Sequence, residues 1–352
     1  MGFLSLWFVA QACAIGGLDP ATVTSTFDTV WAATVASRLA TPPVCTGSSV
    51  WVAKKGSVQA YSLVDGSRLY RRKTRGTVNL LRGPGDSVRA FPRFSKGSIL
   101  VFGDNPPRLV AQQRGERTII AADCLGAHTA VLYRHGAVGL LTAGGMRPRG
   151  SPRGAAPGWS NIEVVETTGD TLIVLSRRSG FPILTGRDSL ITIPLEFRGG
   201  VVEAGARGDS LFLVGAEGRM ALLDSARRMV WERGLPSGLQ SAPVMQDEWV
   251  WLALRNRTLI RVNIHNGRIR GEWVLTGPLA CPLAAYGDGV AWGTLEGRVW
   301  VVRSGRASPE VAALLTRPAV GLGSRGDDLV ISQDDGRLLC LRPRAKSRGL
   351  DG

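Results

Sequence analysis

Few residues in this chain are of types that do chemistry, and their spacing supports little of it. The five cysteines, Cys13, Cys45, Cys124, Cys281 and Cys340, stand far apart. No Cys-x-x-Cys pair and no set with zinc-ligand spacing is present. Disulfide pairing cannot be deduced from their order, and apart from Cys13 they read as small core residues. His128, His135 and His265 are equally dispersed. Three remote histidines assemble no Ser-His-Asp arrangement, and no serine has the setting of a nucleophile elbow. Asp65, Asp104, Asp224 and Asp335 fall mostly in turns, where a carboxylate caps the backbone. The pairs Gly144-Gly145 and Gly199-Gly200 are too short to cradle a phosphate and read as turns. No catalytic, cofactor-binding or metal residue is therefore assigned.

Cys13 alone has a context that suggests a modification. Phe3 to Val9 (FLSLWFV) is an apolar run such as a signal peptide's core requires. Ala10-Gln11-Ala12 supplies the small residues of a cleavage site, and Cys13 follows at once. The segment resembles a degenerate lipobox, in which a diacylated Cys13 would anchor the mature chain to a membrane. It departs from that pattern in having Ala10 where leucine is usual and no basic residue before the apolar run. Residues 1–20 are read as a signal-peptide or lipoprotein leader, giving an exported chain, periplasmic or lipid-anchored. A buried N-terminal strand or a disordered leader is the alternative. No later run approaches the roughly 20 apolar residues of a membrane span.

The net charge is +15, and among the basic residues only Lys54, Lys55, Lys73, Lys96 and Lys346 are lysine. Such charge can attract nucleic acid, anionic lipid or acidic protein. The arginines are scattered, as GC-rich codon usage would leave them, and no basic stripe is interleaved with aromatics. Nucleic acid is not expected as a partner. The densest runs, Arg71, Arg72, Lys73, Arg75 and Arg342, Arg344, Lys346, Arg348, read as a solvated loop and a tail, with 344–352 a disordered basic tail. Met146 to Gly158 (MRPRGSPRGAAPG) reads as a mobile loop and a candidate contact for an acidic partner.

The elements that would position any site are repeats. Ala204 to Trp231 contains a Gly-Asp turn, an apolar run, a Glu-Gly turn, a second run, a polar turn and an aromatic. Cys45–Tyr70, Gln246–Trp273, Tyr286–Arg303 and Gly323–Arg342 follow the same plan. The turn residues Gly218, Arg257, Gly297 and Gly336 are 39, 40 and 39 residues apart, and Gly56 holds the same place in an earlier copy. Alternating side chains after each turn argue for strands, and Asp-Gly, Glu-Gly and Asn-Gly pairs supply the positive φ of tight hairpins. A period near 40 residues is that of a propeller, in which neighbouring sheets bury one another's faces.

Turns opening the second strand are marked at Gly47, Gly97, Gly126, Gly169, Gly208, Asp247, Gly287 and Gly326, which predicts eight blades, with seven as the alternative. Gaps of 50 and 29 residues around Gly97 make two copies look eroded. The last copy stops after its third strand at Leu341-Arg342-Pro343. Asp28-Thr29-Val30-Trp31-Ala32 matches Arg228 to Trp231 and is expected to supply the missing fourth strand, closing the last blade from the N-terminus. Trp31, Tyr70, Trp231 and Trp273 would then wedge between neighbouring blades. The fold is read as all-β, an eight-bladed propeller of four-stranded antiparallel blades over residues 28–343.

The first-strand motifs Pro43-Val44, Pro243-Val244, Pro282-Leu283 and Pro318-Ala319, the Gly-Asp and Asp-Gly turns, and Leu222-Leu223-Asp224 with Trp231 resemble the quinoprotein-type (PQQ-like) propeller repeat. Size, leader and a bare ring make the chain most similar to the BamB-type lipoproteins of the outer-membrane β-barrel assembly machinery. That resemblance implies a non-enzymatic, monomeric scaffold of the cell envelope, without cofactor, holding a protein partner on rim loops. A quinoprotein dehydrogenase is the alternative, and would imply pyrroloquinoline quinone, calcium and an Asp base. The chain departs from that group in length and in lacking an adjacent Cys-Cys pair. A sensor or interaction propeller with another partner is the third reading.

Overall fold

The computed structural model describes residues 22–23, 26–35, 39, 41–92, 98–114, 118–125, 128–133, 138–142, 145–150, 162–166, 172–176, 181–184, 190–193, 201–207, 210–215, 218–226 and 228–344. Among these the chain is almost wholly β, with one short 3₁₀ turn at Pro84–Asp86. No helix among them is long and apolar enough to cross a membrane.

Eight antiparallel sheets succeed one another along the chain. Sheets one to seven cover residues 44–73, 78–114, 119–150, 162–193, 201–234, 244–274 and 284–314. Sheet eight takes three strands from 319–343 and its outer strand, Phe27–Thr34, from the other end of the chain. Phe27–Thr34 runs antiparallel to Arg337–Pro343, with Asp28 opposite Arg342 and Ala32 opposite Leu339. This is the pairing expected for Asp28–Ala32. Sheet seven carries a fifth strand, because Thr22–Val23 pairs with Leu314 and Ala313 on its outer edge.

Sheets one, five and six share a gradient of burial. The second and third strands, such as Ser49–Lys54 and Ser57–Ser62, are buried on both faces. The fourth strands, such as Arg68–Lys73 and Met229–Gly234, are almost entirely exposed. The reason is stacking: the core lies in seams between sheets. Val58 and Ala60 of sheet one meet Val88 and Phe102 of sheet two. Val214 and Leu222 meet Val250 and Ile260 across the fifth seam, and Trp251 meets Val290 and Trp292 across the sixth. Tyr286 and Val301 meet Leu329 and Leu341 between sheets seven and eight. The seam between sheets eight and one is built in the same way, from Val330, Leu338 and Cys340 against Val50, Val52 and Tyr61.

A tryptophan of a fourth strand donates across each of three seams, at the same register in Trp31 and Trp231 and two residues further on in Trp273. From the fourth strand, Trp31 Nε1 donates to the Leu63 carbonyl at 2.9 Å, Trp231 Nε1 to Ile264 at 3.0 Å and Trp273 Nε1 to Ala307 at 3.1 Å. The indole packs on the next sheet's turn; a β-carbon on Gly66 would lie 2.6 Å from the Trp31 ring. Tyr70 occupies the corresponding place in sheet one but packs its ring on Trp51 and Phe102.

Several expectations need correction. The turn that opens the second strand of sheet two is at Gly85, ahead of Val88–Pro92, and not at Gly97, which lies outside the described residues before Ser98. With that mark moved, the spacings from Gly47 through Gly85 to Gly126 become 38 and 41 residues, so neither copy is eroded. Gly85 has a φ of 59°, and the sequence carries a second glycine, Gly97, just before the next strand, which is why pattern alone does not separate them. Gly145–Gly150 is the outer strand of sheet three, so the first part of Met146–Gly158 is not a loop; residues 151–158 lie outside the described set. Pro148 is tolerated there because an outer strand needs hydrogen bonds on one side only. Arg71, Arg72 and Lys73 likewise lie on a strand and not in a loop. Arg342 and Arg344 are not free tail residues: they pair with Asp328 and Asp28, both at 2.6 Å. Residues 1–20, Cys13 among them, and residues 345–352 lie outside the described set.

The repeated turn explains one residue choice. Gly56, Gly218, Gly297 and Gly336 have φ of 83°, 77°, 80° and 85°, and Arg257 adopts 66° in the same place. The cost of replacing such a glycine depends on what its β-carbon meets. At Gly297 it would collide with the Leu315 carbonyl oxygen, whereas at Gly56 the nearest atom is 4.0 Å away. Gly56→Ala is expected to cost about 1 kcal/mol, from the left-handed backbone alone. Gly297→Ala should cost about 2 kcal/mol because strain and overlap add. Paired urea melts would check this, and equal costs would refute it.

Candidate partner-binding surface

The chemistry-bearing residues are mostly spent on structure. Cys45, Cys281 and Cys340 are buried free thiols. Burial raises all three, to about 11 for Cys281 and about 12 for Cys340, so at neutral pH they are neither thiolate nucleophiles nor ready metal ligands. The side chains of Cys124 and His128 and the whole of His135 lie outside the described residues. His265 is exposed in a turn, where its backbone N–H donates to Asn263 Oδ1. Among the described residues no three His, Cys, Asp or Glu side chains gather as metal ligands would.

Three of the four singled-out carboxylates cap turns. Asp65 Oδ1 accepts from Ser67 N at 3.0 Å, Asp224 from Arg228 N at 2.9 Å and Asp335 from Arg337 N at 3.0 Å. Asp104 does something else. It is only 8% exposed, at the end of the third strand of sheet two, and it reaches across the seam into sheet one. It accepts from Thr46 Oγ1 at 2.5 Å, Ser48 N at 2.8 Å, Ser48 Oγ at 3.0 Å and Trp51 Nε1 at 3.3 Å. Burial raises its carboxyl, but the hydrogen bonds it accepts, those from Thr46 and Ser48 among them, outweigh that and hold it below its ordinary value.

The ends of the sheets that carry the first turns are linked by further polar bonds. Gln246 Nε2 donates to the Gly287 carbonyl at 3.0 Å and Tyr286 Oη to that of Asp327 at 3.2 Å. Arg325 approaches Asp86 at 3.5 Å, and Arg82 pairs with the same carboxylate at 2.7 Å. The Gln246 and Tyr286 bonds join sheet six to seven and seven to eight, Arg325 reaches from sheet eight to sheet two, and the outer strands are the more open surface. Leu69, Val230, Ile269, Val274 and Leu314 are all exposed on such strands, Val274 by 73%.

One concavity stands on that surface. Between the outer strands of sheets five and six lies an open groove of about 620 Å³, lined by Met220, Glu232, Arg233, Gly234, Gly267, Arg268, Ile269 and Arg270. Its two walls come from segments about a repeat apart. Trp231 holds them together by packing on Gly267, and the Arg233 side chain lies over the same glycine. Local density of basic residues does not single these positions out, because the groove combines arginines from different register positions of two repeats.

Four-stranded antiparallel sheets that repeat along the chain, stack face to face and are pinned by a recurring tryptophan define a β-propeller-type repeat protein. A family model described as outer membrane protein assembly factor BamB matches residues 153–347. The chain belongs to that family. Solved structures of similar fold include BamB from Moraxella catarrhalis, at 13% identity and TM-score 0.66, over 90% of this chain and 98% of that one. The computationally designed Ika8 protein aligns at 12% identity and TM-score 0.72, over 89% and 99%. Sqt1 from Saccharomyces cerevisiae aligns at 9% and 0.73, over 91% and 100%. Likeness at this level is one of fold. Comparison with curated proteins finds none that matches.

Proposed function

We propose that this protein is a non-enzymatic, eight-bladed propeller of the cell envelope that serves as a protein-interaction scaffold in outer-membrane protein assembly. The observation that carries the reading is the match of residues 153–347 to the BamB family model. Two structural features support it. The seams are tied by apolar packing, indole hydrogen bonds and the Asp104 cluster, which suits a rigid platform. The outer strands present apolar and arginine side chains together, a surface suited to holding another protein. In this reading the contact between sheets eight and one closes the ring and leaves no free edge between first and last blades. Cys13 is the lipid attachment point that keeps the scaffold at a membrane.

In-cell cross-linking of the tagged chain in its host, followed by mass spectrometry, tests the reading. An outer-membrane assembly protein among the captured partners is the expected result, with Cys13→Ser shifting the chain from the membrane to the soluble fraction. Capture of cytoplasmic proteins or nucleic acid alone would overturn the envelope assignment, and unchanged membrane association of Cys13→Ser would overturn lipidation.

A further inference from the structure

The groove between sheets five and six combines three properties that point to one kind of occupant. The first is charge. Glu232 is the only carboxylate in its lining and is paired with Arg219 at 3.1 Å. Among the described residues Arg233, Arg268 and Arg270 form no ion pair, whereas Arg228, Arg337, Arg342 and Arg344 each have an aspartate. The groove is thus a local excess of arginine with nothing to balance it. The second is apolar surface: Ile269, 45% exposed, in the lining, with Met229 and Val230 exposed on the strand Met229–Gly234. The third is an open edge. Met229–Gly234 is the last strand of its sheet and, among the described residues, has no strand paired on its outer side. The same edge of sheet seven is occupied by an extended segment, Thr22–Val23, so the outer strands of this fold do accept one.

We propose that this groove takes an acidic, extended segment of a protein partner, laid along the open edge of Met229–Gly234 with its carboxylates on Arg233, Arg268 and Arg270. Main-chain pairing supplies sequence-tolerant attraction, the arginines select acidic segments, and the exposed Ile269 receives an intervening apolar side chain. A basic segment is repelled, as is a second copy of a chain with net charge +15. The proposal deepens the scaffold reading and rests on it.

The test uses the purified full-length chain and a fluorescein-labelled peptide of alternating Glu and Val, with an alternating Lys and Val peptide beside it, read by anisotropy. The acidic peptide is expected to bind and the basic one not, with binding weakened by salt because exposed charges are screened beyond about 10 Å at 0.1 M. Arg233→Glu with Arg270→Glu should weaken binding by about tenfold or more. Arg268→Glu with Arg270→Glu, which spares the Arg233 packing on Gly267, should do the same in a chain of unchanged melting temperature. Arg71→Glu with Arg72→Glu makes an equal change of net charge on the outer strand of sheet one and should alter affinity by less than about twofold. Equal weakening by all three pairs, or no binding of the acidic peptide, would overturn the proposal. A photo-cross-linker at Ile269 in the host separates it from the broader reading. Capture of an envelope partner there supports the groove. Capture of the same partner only from a distant site such as Val64 overturns the groove and leaves the scaffold standing.

Discussion

Replacing Trp31 by alanine is expected to destabilise the protein by about 3–5 kcal/mol, the range for deleting a buried aromatic side chain. Trp31 is 6% exposed and lies on the strand that the N-terminal part of the chain contributes to sheet eight. Its ring fills the seam between sheets eight and one beside Val35, Tyr61 and Leu63. Its Nε1 hydrogen bond to the Leu63 carbonyl is the one polar tie of that tryptophan across the seam. Removing the side chain leaves a cavity where the two ends of the chain meet, and the Leu63 carbonyl loses its donor. Trp31→Phe keeps most of the packing and should cost about 1–2 kcal/mol, chiefly the lost hydrogen bond and some volume. Trp231→Ala should cost less than Trp31→Ala, since Trp231 is only partly buried. Urea melts of the three variants measure this directly. A Trp31→Ala chain within 1 kcal/mol of the parent would show that the first and last sheets are held by something other than this contact.

Asp104→Ala is expected to cost about 3 kcal/mol, because it takes the charged acceptor from the buried Thr46 and Trp51 and from the amide and hydroxyl of Ser48. Thr46 Oγ1, the Ser48 amide and hydroxyl, and Trp51 Nε1 all point at this carboxylate from sheet one. Asp104→Asn preserves the shape but turns an NH₂ group toward some of those donors, and should be worse than its size suggests. The pH dependence separates the ionic contribution from packing. The folded carboxyl titrates below its unfolded counterpart. Its contribution is therefore complete above the unfolded value of about 3.9 and is lost as pH falls through the lower folded value. The stability gap between the parent and Asp104→Ala should be constant from pH 7 to about pH 5 and narrow on further acidification. A gap that stays unchanged down to pH 2 would mean that the charge on Asp104 is not what ties the two sheets.

The repeat was readable because a backbone constraint dictates residue type. A hairpin turn at φ near +80° selects glycine, so Gly218, Gly297 and Gly336 mark the period without any alignment. Arg257 breaks the type but keeps the spacing and the conformation. The pairing of Phe27–Thr34 with the last copy was readable for a similar reason: a copy with three strands leaves an edge, and Trp31 matches Trp231 on the fourth strand of sheet five. Where two turns of one repeat both carry glycine, as at Gly85 and Gly97, residue type no longer says which turn is which.

Contacts between sheets left no such mark. Asp104 looks like a turn aspartate from its neighbours in the chain, and its partners are 53 to 58 residues away. Tyr70 stands at the tryptophan position yet spends its ring on Trp51 and Phe102. Arg233 and Arg270 are unremarkable edge-strand arginines until sheet six is laid on sheet five, with Trp231 against Gly267 bringing them to one groove. Turn conformation and strand periodicity are local and act on each residue separately, so a single chain displays them. A buried ion or a shared groove depends on the distance between residues a full repeat apart, and only the stacking of the sheets sets that distance.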